Sequence, residues 1–234
     1  MYRGKRILAV IPARGGSKGI KNKNIVDLNG KPLIQYTIDS AKGSHYIDKV
    51  IVSTDSEEIK EVSEKLGAQV PFLRPMGLAS DTARTIDVLV HTVDELKRMG
   101  EEYDYLVLLQ PTSPLRKTRH INEAIKLMLD NEYRSLVSVH EVEDHPILIR
   151  TIEDSYKMHK LIEQSSTMRR QDFKKYYKVN GAIYINELKV LNNETSLNDN
   201  EYAYIMERMY SVDIDEELDL KYAKVLLEQI DNND

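Results

Sequence analysis

Ile7-Leu8-Ala9-Val10-Ile11, followed by Pro12-Ala13-Arg14-Gly15-Gly16-Ser17-Lys18-Gly19-Ile20-Lys21-Asn22-Lys23-Asn24, decides how the rest of the chain is read. The apolar run is short and unbroken, which suits a strand buried on both faces. Behind it come three glycines, a serine and four cations. Glycine lets the backbone approach a ligand closely. Successive free N–H groups in such a turn make a concavity for anions. Arg14, Lys18, Lys21 and Lys23 add the fixed positive charge that a triphosphate needs. A merely solvated basic loop would not need a buried strand directly before it. The loop is not the Walker pattern, because no Gly-Lys-Ser/Thr step follows four spacer residues, and it is not G-x-G-x-x-G. It reads as a phosphate loop of a third kind.

Composition narrows the function classes. The chain has 234 residues, 41% of them hydrophobic and 30% charged, which suits one large α/β domain or one domain with a sizeable insertion. It contains no cysteine, so disulfides and thiolate metal sites are excluded. No run approaches the roughly 20 apolar residues of a membrane helix, and no apolar signal core opens the chain. A cytoplasmic location without membrane partners is expected. A net charge of -5 argues against a nucleic-acid partner, so the cations of the first loop point to a small anion.

Beyond the loop, strands and helices alternate. Pro32 can open a helix carrying Leu33, Ile34, Ile38 and Ala41, and 49–55 reads as the second strand. Ser56 is placed to cap the next helix, and Gly67 to stop it. A short strand is expected at 69–73, then the loop 74–82 and a helix over 83–99. The most apolar strand, 105–109, stops at Gln110-Pro111-Thr112-Ser113-Pro114, since proline cannot continue a ladder. A helix over 119–129 and a strand over 135–139 follow. Repeated β-α-β units predict a doubly wound, mostly parallel α/β sheet, with ligands beyond the carboxyl ends of its strands. The rhythm weakens over 141–177, a polar stretch with short strands expected at 147–149 and 156–161, which reads as an insertion. Strands return at 180–185 and 203–206, and an amphipathic helix over 216–230 closes the chain.

Ser211-Val212-Asp213-Ile214-Asp215 stands just before that helix. Period two puts Asp213 and Asp215 on one side and Val212 and Ile214 on the other. Two carboxylates on one face are a natural seat for Mg²⁺, a hard cation that takes oxygen ligands and bridges to phosphates. The plainer alternative makes Asp215 a helix cap and Asp213 a surface residue. A cationic loop and a diacid at strand ends of one sheet are better explained together, as a metal-nucleotide site. His45, His91, His120 and His159 show no ligand spacing, whereas His145 opens the insertion and is a candidate for its neighbourhood.

Together these stretches resemble the cytidylyltransferases that activate sialic acids, the CMP-N-acylneuraminate synthetases. The resemblance runs through 11–24, Val52-Ser53-Thr54-Asp55, Arg74-Pro75, 78–83, 109–116, Arg170-Gln171-Asp172, 180–184 and 211–215. It implies a Rossmann-like nucleotidyltransferase fold, with 1–234 as one cytidylyltransferase domain and 141–177 as an inserted dimerisation segment. It implies transfer of CMP from CTP to the anomeric oxygen of a nonulosonic acid, with Mg²⁺ as cofactor, in a homodimer whose inserted segments cross over. By the same resemblance, Arg14 and Lys23 hold the triphosphate and act on the α-phosphate, beside Gly15, Gly16, Ser17 and Lys18. Asn24, Arg74, Ala83 and Thr85 hold the cytidine. Gln110, Asn180 and Tyr184 face the sugar acid, and Arg170 binds its anionic groups. Asp213 and Asp215 carry the metal.

Two departures lie on the sugar side. Val179 stands where many members have proline, and Lys174 where Leu-Pro often follows. Legionaminic and pseudaminic acids therefore stay open as acceptors beside sialic acid. The CMP-Kdo synthetases fit less well, because they carry Gln-Gly-Asp-Glu-Pro where this chain has Gln110-Pro111-Thr112-Ser113-Pro114. An inactive nucleotide-binding module would not need Arg14, Asp213 and Asp215 together, and all three are present.

Overall fold

The structure, a computed structural model, describes residues 2–163, 167, 169, 171 and 173–231. In chain order its elements are β1 (Ile7–Pro12), β2 (Asp27–Leu28), β3 (Lys31–Pro32), α1 (Leu33–Lys42), β4 (Lys49–Ser53), α2 (Glu57–Lys65) and α3 (Thr85–Arg98). Then follow β5 (Tyr105–Leu108), α4 (Thr118–Asp130), β6 (Ser135–Glu141), β7 (Arg150–Ile152), β8 (Met158–Lys160), β9 (Tyr177–Glu187), β10 (Tyr202–Ile205) and α5 (Glu217–Asp231).

Six strands form one sheet in the order β10-β6-β9-β5-β1-β4. Its β1 lies between β4 and β5, parallel to both, and is buried on both faces. Ile7, Ala9 and Ile11 point into the cluster that holds Ile34 and Ile38 of α1 and Ile121 and Ile125 of α4. Leu8 and Val10 point the other way, against Leu89 and Leu96 of α3. Helices thus cover both faces, as the unbroken apolar run of β1 requires. The hydroxyl of Ser56 accepts from Ile59 N–H at 3.4 Å and caps α2, and Gly67 sits at φ +82° just beyond that helix.

The structure departs from the sequence reading in four places. The strand expected at 69–73 is a single bridge, Gln69 beside Ile51, because Pro71 ends the ladder. The strand expected at 147–149 is a turn, and the inserted pair is the antiparallel hairpin β7–β8. β9 runs antiparallel to both β5 and β6. Its direction follows from the path: the chain leaves β6 at its carboxyl end, passes through the hairpin and re-enters from that same end. Finally, 211–215 joins no ladder, although Ile214 is buried and Asp213 and Asp215 are exposed, as the period-two alternation predicts.

A bulge in β9 shapes the site. Three residues of β6, Val137 to Val139, span six of β9, Val179 to Tyr184. Asn180 and Ser138 fill the gap. Ser138 Oγ donates to Asn180 Oδ1 at 2.5 Å and accepts from Ile183 N–H at 2.8 Å, while Asn180 Nδ2 donates to Ser211 Oγ at 2.9 Å. At the bulge Gly181 takes φ +76°, and a Cβ there would stand 2.9 Å from Gln110 Oε1. Arg116, fully buried, donates to the carbonyls of Gln110 (3.2 Å) and Ala182 (2.8 Å) and to Thr37 Oγ1 (2.7 Å). Burial alone pulls its guanidinium down to about 9. Asn180→Ala leaves the buried Ser138 and Ser211 hydroxyls without their amide partner, so it is expected to cost about 2–3 kcal/mol of stability. Chemical denaturation measures this, and a cost below the error of extrapolation would show that the bulge does not depend on Asn180.

Candidate active site

One cavity of about 540 Å³ opens at the carboxyl ends of β1, β4 and β5. Of the residues expected in the site, Arg14, Ser17, Lys18, Lys23, Asn24, Arg74, Ala83, Thr85, Gln110, Asp213 and Asp215 line it. Gly15 and Gly16 lie within the loop but not on the lining. Asn180 and Tyr184 are buried away from it. All the polar contacts of the Asn180 amide are internal, and the Tyr184 hydroxyl donates to Asn198 Oδ1 at 3.1 Å. Arg170 lies outside the described residues. His145 belongs to a separate, smaller cavity lined by residues of 141–148 and 173–176, where its ring meets the Lys174 carbonyl at 2.8 Å.

The phosphate loop is held from three sides. Gly15 N–H donates to Asp55 Oδ1 at 3.0 Å, and Asn24 Nδ2 donates to the Arg14 carbonyl at 2.9 Å. Lys23 crosses to the other wall, where its Nζ donates to the Ile214 carbonyl and to Asp215 Oδ1, both at 3.0 Å. Gly19 is the point of closest approach: a Cβ there would lie 2.4 Å from the Asp215 carbonyl oxygen. Only glycine lets these two backbones meet. Arg14 and Lys18 each pair with a different oxygen of Asp81, at 2.7 and 2.8 Å.

The acidic wall is held as firmly. Ile214 N–H donates to the Thr112 carbonyl at 2.8 Å, which ties 211–215 to the loop after β5. The Asp215 and Glu216 N–H groups both donate to Asp219 Oδ2 at 2.9 Å, closing the first turn of α5. Asp213 is raised above the usual carboxylate range, first by desolvation and then by the charge of Asp215, while a hydrogen bond from Thr112 and the charge of Lys23 oppose the rise. Its carboxyl group opens to the cavity but is otherwise flanked by protein, which desolvates it in part. A carboxylate raised by the charge of its neighbour favours a cation between the two. Among the described residues no cluster of three or more His, Cys, Asp or Glu could hold a metal ion. Asp213 and Asp215 offer carboxylate oxygens that could hold a hard cation, the rest of its shell coming from water or phosphate.

Arg74 floors the other end of the cavity. It is buried, with Nη2 donating to the Ser53 carbonyl at 2.5 Å and Nη1 to the Leu78 carbonyl at 3.2 Å. Burial lowers its pKa, and among the described residues its Nε has no hydrogen-bond partner. The sequence reading counted Gly19 among the loop glycines without foreseeing its contact with Asp215, and it gave no role to Asp81 or Thr112. Each matters through a contact with a residue far along the chain, and no local pattern marks such contacts.

The sequence profile described as Cytidylyltransferase matches residues 8–231. The chain is 38% identical over 211 residues to an N-acylneuraminate cytidylyltransferase of Streptococcus agalactiae serotype V, covering 89% of this chain and 50% of that protein. It thus spans about half the length of that curated relative. It is 36% identical over 227 residues to a CMP-N,N'-diacetyllegionaminic acid synthase of Legionella pneumophila, covering 95% of this chain and 97% of the relative. Among solved structures, a CMP:2-keto-3-deoxy-manno-octonic acid synthetase complexed with CTP superposes with a TM-score of 0.73, over 96% of this chain and 99% of that one. At 19% identity this last likeness speaks to the fold.

Proposed function

Because this chain belongs to the cytidylyltransferase family, we propose that it transfers CMP from CTP to the anomeric hydroxyl of a nonulosonic acid of the sialic acid type, releasing pyrophosphate. One observation carries the reading: the cationic loop and the Asp213–Asp215 pair face each other across one cavity at the strand ends. Arg14, Lys18 and Lys23 hold the triphosphate, and Arg14 and Lys23 offset charge that grows on the α-phosphate as the sugar oxygen attacks. Arg74, Asn24, Ala83 and Thr85 form the cytidine end of the cavity. Gln110, beside Gly181, faces the acceptor. Asp213 and Asp215 would hold Mg²⁺, which supplies charge neutralisation and makes the attacking hydroxyl more acidic. Arg170, Asn180 and Tyr184 remain proposed for the sugar side, Asn180 through its hold on the bulge. Sialic, legionaminic and pseudaminic acids are the acceptors considered. A cytoplasmic setting belongs to the same proposal, since CTP is made there.

The nucleotide half is tested by pyrophosphate release. CTP is expected to be used at least about a hundredfold better than UTP, because polar groups placed for one base are left unpaired by the other. Equal use of both would remove the cytidine assignments.

A homodimer is proposed on the inserted segment. The hairpin β7–β8 exposes Ile152, Tyr156, Met158 and Leu161, and a two-stranded hairpin is marginal by itself. A second copy would cover these side chains with two-fold symmetry. Sedimentation is expected to give a dimer that Ile152→Lys weakens, and a wild-type monomer would exclude the arrangement.

A further inference from the structure

Arg14 and Lys18 already have an anion between them. Asp81 Oδ1 lies 2.7 Å from Arg14 Nη1, and Asp81 Oδ2 lies 2.8 Å from Lys18 Nζ. All three line the cavity that receives the phosphates in the reading above. A carboxylate that gives one oxygen to each of two cations has the shape of a phosphate edge. Asp81 sits in the short loop between the turn Met76–Leu78 and α3. The bonds of this stretch are local: Ala83 N–H donates to the Ser80 carbonyl at 3.2 Å, and the Ser80 and Thr82 hydroxyls meet at 3.3 Å. Among the described residues, the ion pairs to Arg14 and Lys18 are the side-chain contacts recorded for Asp81.

We propose that Asp81 is a specificity-determining residue that stands in for a ligand phosphate, so that only ligands with enough phosphate charge displace it from Arg14 and Lys18. This rests on the reading that the loop binds the CTP triphosphate. Displacement is a fixed cost charged to any ligand that needs those two cations. A triphosphate or pyrophosphate meets it and then gains both cations. A ligand that reaches only the cytidine end meets no such cost and makes no such gain. Asp81 thereby weakens retention of pyrophosphate as well, returning to the cations as the product leaves.

Calorimetric titration of Asp81→Asn and Asp81→Glu with CTP, pyrophosphate and cytidine tests this directly. Asp81→Asn keeps the size of the side chain and removes its charge. Exposed ion pairs are individually weak, so CTP and pyrophosphate are expected to bind roughly three- to tenfold tighter to this variant. Cytidine affinity stays unchanged, and the gain shrinks at high salt, where exposed pairs are screened. Asp81→Glu keeps the charge and stays within about twofold of wild type. Tighter binding of all three ligands would point to a general change in the loop and overturn the proposal. Weaker binding of CTP to Asp81→Asn would overturn it too, by making Asp81 a ligand contact. If wild type binds no CTP but Asp81→Asn still tightens pyrophosphate, the nucleotide reading falls and the displacement stands. If wild type binds CTP and the variant gains nothing for either phosphate ligand, the displacement falls and the nucleotide reading stands.

Discussion

Asp213→Asn is expected to lower turnover on the order of a thousandfold while leaving the fold intact. The amide keeps the size of the carboxyl group and its place beside Thr112, but it removes the charge that a bound cation needs. CTP affinity measured without metal is expected to survive, because Arg14, Lys18 and Lys23 are untouched. Stability should move the other way. Asp213 has a folded-state pKa above its unfolded value, so the fold favours the protonated form. As pH rises through that interval, ionisation of Asp213 works against folding. Asparagine removes that opposition, so the variant is expected to melt at the same temperature as wild type or higher at pH 7. The difference should vanish below about pH 3.9, where the carboxyl is protonated in both states. Near-normal turnover at limiting Mg²⁺ would sink the metal assignment, and a lower melting temperature at pH 7 would show that Asp213 serves the fold instead.

Gly19→Ala is expected to cost about a hundredfold in turnover, because displacing a reacting group by an ångström has an effect of that size. The added Cβ would stand 2.4 Å from the Asp215 carbonyl oxygen and 3.5 Å from its carbon. Both are backbone atoms, so no side chain can swing aside. Gly19 does not sit at left-handed φ, so the expected effect comes from the clash rather than from a left-handed backbone. The phosphate loop and the acidic wall must separate, and the Lys23 contacts with Ile214 and Asp215 stretch with them. The loss should appear as a fall in kcat, with CTP binding changed less. Wild-type kcat in Gly19→Ala would mean that the two walls of the cavity act independently.

What could be read from the residues alone was local. The buried β1, the loop of glycines and cations, the Ser56 cap and the alternation around Asp213 each repeat a short period or use a single residue type. Asp213 and Asp215 face the cavity although 211–215 is not a strand, because Ile214 is held by Thr112 and buried whatever the ladder does. Burial of alternate residues was the legible feature, and strand pairing was not. The antiparallel β9 was hidden for a related reason: its direction depends on where the chain emerges from the inserted hairpin. Asn180 belongs to a stretch that the resemblance flags, yet its amide is engaged with Ser138 and Ser211 inside the protein. Gly19 against Asp215 and Asp81 between Arg14 and Lys18 join residues 196 and 67 or 63 positions apart in the chain, which no periodicity encodes.

The most direct measurement mixes the protein with CTP, Mg²⁺ and, separately, N-acetylneuraminic, legionaminic and pseudaminic acids and Kdo. Pyrophosphate release and the mass of the nucleotide product are followed together. The proposed function predicts one pyrophosphate for each CMP-sugar formed, with at least one of the nine-carbon acids used in preference to Kdo. A protein that binds CTP but releases no pyrophosphate with any nine-carbon acid would contradict it.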